Sequence, residues 1–259
     1  MTQAERTDPV FTGVGVALAT LFDDDLNVDV AATVDHATRL VEAGVRAVVV
    51  AGSTGEAAAL DADERAQLVA KVRGALPAEV PVLAGTGAAS ARQAVSLSRA
   101  AVDAGADAVL VLSPPLAGDP RPYYAEVSAA VDVSVLGYHF PAVSQPGIPM
   151  AVLADLPVNG LKDSSGDPDR LLETLELFPG PLYTGSSGVL SLAGPAGCAG
   201  AILALANVEP ERCIRALAGD GTAQREVAPA HLAAKKAFPR ALKELMAARW
   251  GTATHTRMG

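Results

Sequence analysis

Short apolar runs rich in Val, Ile and Leu alternate along the chain with alanine-rich stretches whose apolar positions recur every three or four residues. The short runs fall at 15–20, 47–50, 82–85, 108–112, 133–138, 158–162, 182–185 and 200–203, and each reads as a buried strand. The stretches between them read as amphipathic helices. Residues 30–43 carry Val34, Ala37, Leu40 and Val41 on one helical face, and Gly44 stops the helix just past its last turn. Residues 62–76 and 91–104 repeat the pattern, with Pro77 and Gly105 as stops. The joints at 41–50 and 102–111 look alike: a helix end, a glycine, then a strand entered by a small residue.

Eight strands alternating with helices predict an α/β chain of the (β/α)8 TIM-barrel type, not an open doubly wound sheet. Residues 1–209 are expected to form the barrel. Residues 210–259 are expected to add a C-terminal helical extension packed on it, within one structural domain. Its helices are expected at 210–218, 222–234 and 238–249, and 250–259 reads as a loose tail.

Composition narrows the function. The 259 residues suit one barrel, and with aromatics at 4% the core must be built from Ala, Val and Leu. A net charge of −9 argues against nucleic acid or an anionic membrane as partner. No apolar run reaches membrane-spanning length, and the first eight residues carry no apolar signal region, so a cytoplasmic location is expected. Cys198 and Cys213 lie in no CxxC or Cys/His cluster and read as buried thiols. No Asp/Glu/His cluster suits a divalent ion, so neither a metal nor an organic cofactor is expected. Gly13–Val14–Gly15 precedes a strand and lacks the third glycine of a dinucleotide fingerprint. Gly85–Thr86–Gly87 follows a strand and is a weak candidate for anion binding.

Lys162 carries the chemistry. It ends a short apolar run in Gly160–Leu161–Lys162–Asp163–Ser164–Ser165–Gly166. A lysine seldom ends a buried strand unless its amine has work there. At a barrel mouth the amine loses water, its pKa falls, and it can attack a ketone. Alone, the residue reads more readily as a strand-end lysine reaching for solvent, and the segments that follow reverse that reading. Tyr138 ends the preceding strand, so both side chains belong over one mouth, where a phenol beside an amine can shuttle protons. His139 should point to the other side of that strand. Gly52–Ser53–Thr54–Gly55–Glu56 follows the second strand. Its glycines permit a tight turn whose N–H groups can meet a carboxylate, and Ser53 and Thr54 add hydroxyls. Glu56 is read as ordering this loop.

Together these segments, with Tyr138–His139–Phe140–Pro141, Gly185–Ser186–Ser187 and the run 200–207, resemble the dihydrodipicolinate synthase / N-acetylneuraminate lyase superfamily of pyruvate-handling class I aldolases. The resemblance implies a Schiff base between Lys162 and a 2-keto acid, usually pyruvate, with Tyr138 as acid/base. It implies that Gly52, Ser53 and Thr54 hold the carboxylate, and that Ile202 and Gly185 line the site. It also implies a homo-oligomer, a tetramer in preference to a dimer.

Two departures bear on the substrate. Leu116 stands where synthases carry a tyrosine that reaches a neighbouring subunit. Val143 stands about where they carry an arginine for the aldehyde partner's carboxylate, and no cation follows before Lys162. The chain therefore looks closer to the aldolases of 2-keto-3-deoxy sugar acids. The expected reaction is reversible cleavage of a 4-hydroxy-2-keto acid to pyruvate and an aldehyde. Neutral or apolar aldehydes are expected, met by Ser144, Phe140 and Val143. The rival readings are the synthase itself, a non-catalytic keto-acid binder, and a metal-dependent barrel aldolase.

Overall fold

The structure is a computed structural model that describes residues 8–258. Eight parallel strands close into a barrel in sequence order: β1 (Gly13–Ala17), β2 (Ala47–Val50), β3 (Val82–Gly85), β4 (Ala108–Leu112), β5 (Ser134–His139), β6 (Gly160–Asp163), β7 (Leu182–Thr184) and β8 (Gly200–Leu203). β8 pairs with β1 to complete the ring. Helices α1 (Val30–Glu42), α2 (Ala62–Ala75), α3 (Ala91–Asp103) and α4 (Arg121–Ser128) follow the first four strands. Only a short 3-10 segment, Met150–Asp155, lies between β5 and β6. Helices α5 (Pro168–Leu177), α6 (Leu190–Ala196) and α7 (Pro210–Leu217) follow the last three strands, and α8 (Gly221–Lys236) and α9 (Arg240–Trp250) come after them. Among the described residues no helix is long and apolar enough to cross a membrane.

Side-chain alternation divides the core into two layers. On β2, Ala47 and Val49 fill the barrel while Val48 and Val50 pack outward against helices. The outward layer is rich in valine, whose branched side chain suits a pleated surface covered by helices. Phe11 plugs the N-terminal end of the barrel, stacked on Tyr183 with centroids 4.7 Å apart. A Cβ on Gly15 would lie 2.8 Å from the Phe11 ring, which is why glycine stands there.

Two sequence expectations change. The glycines of Gly85–Thr86–Gly87 serve packing. A Cβ on Gly85 would lie 2.1 Å from the Ala51 carbonyl, and one on Gly87 would lie 2.4 Å from the Leu112 amide. Thr86 accepts a hydrogen bond from the Ser98 hydroxyl at 2.8 Å. The tail expected to be loose is instead tied to the barrel mouth. Trp250 still belongs to α9, and the main-chain N–H groups of Arg257 and Met258 each donate to the Glu56 carboxylate at 2.8 Å.

Candidate active site

Strand register brings the two principal residues together. Tyr138 on β5 pairs directly with Lys162 on β6, and His139 pairs with Asp163. Because alternate residues face opposite sides, Tyr138 and Lys162 point into the barrel mouth, and His139 and Asp163 point outward. The outward pair is a support. Asp163 is bridged by Arg170 of α5 at 2.7 Å, and Arg170 also donates to the Ile148 carbonyl at 2.7 Å. Asp167 caps α5 by accepting from the Asp169 and Arg170 amides, which fixes the helix that carries this arginine. His139 Nδ1 accepts from the Ile148 amide at 2.9 Å, and burial lowers its pKa to about 4, so it stays neutral.

Lys162 is 4% exposed, and its Nζ lies 4.2 Å from the centroid of the Tyr138 ring. Among the described residues no carboxylate pairs with the amine. Burial alone lowers its pKa from 10.5 to about 7. A large fraction is therefore a free amine at neutral pH, the form that adds to a carbonyl. The buried Tyr138 phenol moves the other way, to about 12, because burial disfavours its anion. Hydrogen bonds from Ser164 and Ser53 partly offset that shift. The Ser164 hydroxyl is 3.5 Å from the phenol oxygen.

The remaining expected residues fall around this pair. Ser53, half-buried after β2, reaches the phenol; Gly52 and Thr54 are buried on either side of it. Gly185 backs the lysine: a Cβ there would lie 1.8 Å from Ser164 Oγ and 2.9 Å from Lys162 Cε. Ile202 is fully buried in the same inner cluster as Tyr138. Ser164 was missed in the sequence, although it lies two residues from Lys162, the spacing that returns a strand side chain to the same face.

One other expectation shifts. Ser144 was expected to meet the aldehyde, but it is buried and its hydroxyl donates to the Ser113 carbonyl at 2.7 Å. Leu116 is 90% exposed on the loop after β4, with φ of 63°, and its amide donates to Gln145 at 2.7 Å.

A parallel barrel with a buried amine and a phenol at its C-terminal mouth has the layout of a class I aldolase. A profile of the Dihydrodipicolinate synthetase family matches residues 10–239, and the chain belongs to that family. The chain is 37% identical over 236 residues to a 4-hydroxy-tetrahydrodipicolinate synthase of Natronomonas pharaonis, covering 85% of this chain and 80% of the relative. It is 38% identical over 208 residues to an uncharacterized DapA-like lyase of Halobacterium salinarum, covering 77% and 68%. Among solved structures it resembles YagE of E. coli K12, a prophage protein of the dihydrodipicolinic acid synthase family in complex with pyruvate. That match has a TM-score of 0.87 and 25% identity over 96% of this chain and 92% of the other. Members of the family are pyruvate-dependent carbon–carbon lyases, and this chain is an enzyme of that class.

Proposed function

We propose that the enzyme reversibly cleaves a 4-hydroxy-2-keto acid to pyruvate and an aldehyde through a Schiff base on Lys162. The buried amine with a pKa near 7, directly beside a phenol, carries this reading. The neutral Nζ adds to the C2 carbonyl. Burial keeps Tyr138 protonated at rest, so it first donates a proton to the carbinolamine hydroxyl, which leaves as water. The resulting imine is protonated and acts as the electron sink. The Tyr138 phenolate then takes the proton of the C4 hydroxyl, and the C3–C4 bond breaks. The aldehyde departs, the enamine takes up a proton at C3, and hydrolysis frees pyruvate and the lysine.

Ser53, Thr54 and the N–H groups of the loop from Gly52 hold the keto-acid carboxylate in this scheme. Gly185 leaves room for the lysine stem, and Ile202 forms an apolar wall. Borohydride with pyruvate should trap an adduct that maps to Lys162; an adduct elsewhere, or none, would sink the mechanism.

The acceptor is read as neutral. Residues 142–161 contain no Lys, Arg or His, and an unpaired buried carboxylate is costly. The names of relatives such as that of Natronomonas favour a second reading, condensation with aspartate semialdehyde. Steady-state kinetics at fixed pyruvate separates the two: a higher kcat/KM for aspartate semialdehyde than for neutral hydroxyaldehydes selects the synthase. A homo-oligomer, a tetramer in preference to a dimer, is part of the same proposal; a monomer by light scattering at micromolar concentration would contradict it.

A further inference from the structure

The loop 52–55 is bounded by two non-glycine residues in left-handed backbone, Ala51 at φ 52° and Glu56 at φ 57°. Such conformations persist only where the surroundings hold them. Glu56 also closes the loop, since its amide donates to the Ser53 carbonyl at 3.2 Å, while Gly55 and Ala57 donate to the Gly52 carbonyl. Moving Glu56 therefore moves the backbone that carries Ser53 and Thr54.

Glu56 is fully buried, and residues near the end of the chain supply the donors to its carboxylate. Oε1 accepts from Lys243 Nζ of α9 at 2.6 Å, and Oε2 accepts from the main-chain N–H groups of Arg257 and Met258. Lys243, equally buried, donates a second bond to the His255 carbonyl at 2.6 Å. The Arg257 guanidinium donates to the Ala59 carbonyl at 2.9 Å and to both Glu64 oxygens at 2.7 and 2.8 Å. Lys243 and Arg257 also lie over the Phe22 ring, at 4.3 and 4.7 Å from its centroid. A buried ion pair with its lone pairs satisfied is strongly destabilised by loss of a partner. Lys243, His255, Arg257 and Met258 lie beyond the family match, which ends at 239.

We infer that residues 255–258, with Lys243, form a strap that positions the keto-acid carboxylate loop by holding Glu56 in its left-handed turn. Glu56 is a positioning residue: it orients Ser53 and Thr54 and is held from the far end of the chain. The inference rests on the assignment of Ser53 and Thr54 to the carboxylate.

The test is a chain ending at Thr254, which keeps α9 intact, with Arg257→Ala as a milder variant. Two readouts are needed: the pyruvate concentration that half-saturates borohydride trapping, and hydrogen exchange across residues 52–60. If the competent loop falls to about a tenth of the population, half-saturation rises about tenfold while trapping at saturation reaches the wild-type level. Exchange across 52–60 should quicken, and Arg257→Ala should shift both readouts in the same direction by less. An unchanged half-saturation, even with a lower Tm or a reduced trapped fraction, would reduce the strap to a stability element and overturn the inference. Should the shortened chain fail to fold, Arg257→Ala decides by the same criteria. Should pyruvate fail to trap the wild type, the Schiff-base reading falls, and exchange across 52–60 alone judges the strap.

Discussion

Replacing Lys162 with Met should abolish activity and stabilise the fold. The folded pKa of the amine is about 7, and its ordinary value is 10.5. Between those values the unfolded chain holds a proton that the folded chain has released. Wild-type stability therefore rises with pH across that window, by about 1.4 kcal/mol per unit. At pH 7.5, about three units below the ordinary value, the buried amine costs the fold about 4 kcal/mol relative to a side chain that never ionises. Methionine has a similar volume, is unbranched and carries no charge, so it can occupy the same channel beside Tyr138 and Gly185. The expected gain corresponds to a rise in Tm of roughly 8–16 °C for a domain of this size. The assay is urea unfolding followed by circular dichroism, without keto acid, at several pH values from 6 to 10. The advantage of Lys162→Met should be largest at and below pH 7 and should shrink steadily toward pH 10.5. A variant no more stable than wild type, or a gain independent of pH, would refute the claim that burial holds this amine uncharged.

Three more outcomes follow from the same geometry. Initial rates of borohydride trapping at low pyruvate should rise with pH through about 7, because the neutral amine is the proposed nucleophile; a midpoint near 10 would contradict the lowered pKa. Tyr138→Phe should lower kcat by a factor on the order of 10²–10⁴, and Leu116→Ala, which removes no hydroxyl, should cost far less; equal losses would mean that the pocket around Leu116 governs the site. Gly185→Ala puts a methyl where Ser164 Oγ and Lys162 Cε already crowd, so trapping should slow roughly 10–100-fold, and an unaffected rate would mean that the lysine stem moves freely.

The barrel was legible because its signals are local: strand, glycine stop and amphipathic helix repeat within short windows. Six of the eight strands both begin and end within one residue of their expected limits. β1 begins and ends earlier than its apolar run suggests, since the chain leaves the ladder after Leu18, whose amide makes the last bond to Val49. There the Ala19 amide turns to the Asn207 side chain, and the Thr20 hydroxyl turns to the Gly55 carbonyl. The apolar pattern is the same on both sides of that exit. Lys162 and Tyr138 were placed together by strand order alone. Ser164 was within reach of the same reasoning. The docked tail was not, because Glu56 and Arg257 meet across 201 positions and neither flanking segment has a distinctive pattern. Ser144 misled for a similar reason: a serine near a site looks available until its carbonyl partner, 31 positions away, is seen.

The groups gathered around the Tyr138 phenol have a kinetic consequence. Lys162, Ser53 and Ser164 all come from the same chain as the tyrosine, and Leu116 carries no hydroxyl to lend to a neighbour. In the proposed mechanism the unit of chemistry is thus one polypeptide. Specific activity should stay constant on dilution through any subunit dissociation, and mixed oligomers of active and Tyr138→Phe chains should show activity in simple proportion to the active chains.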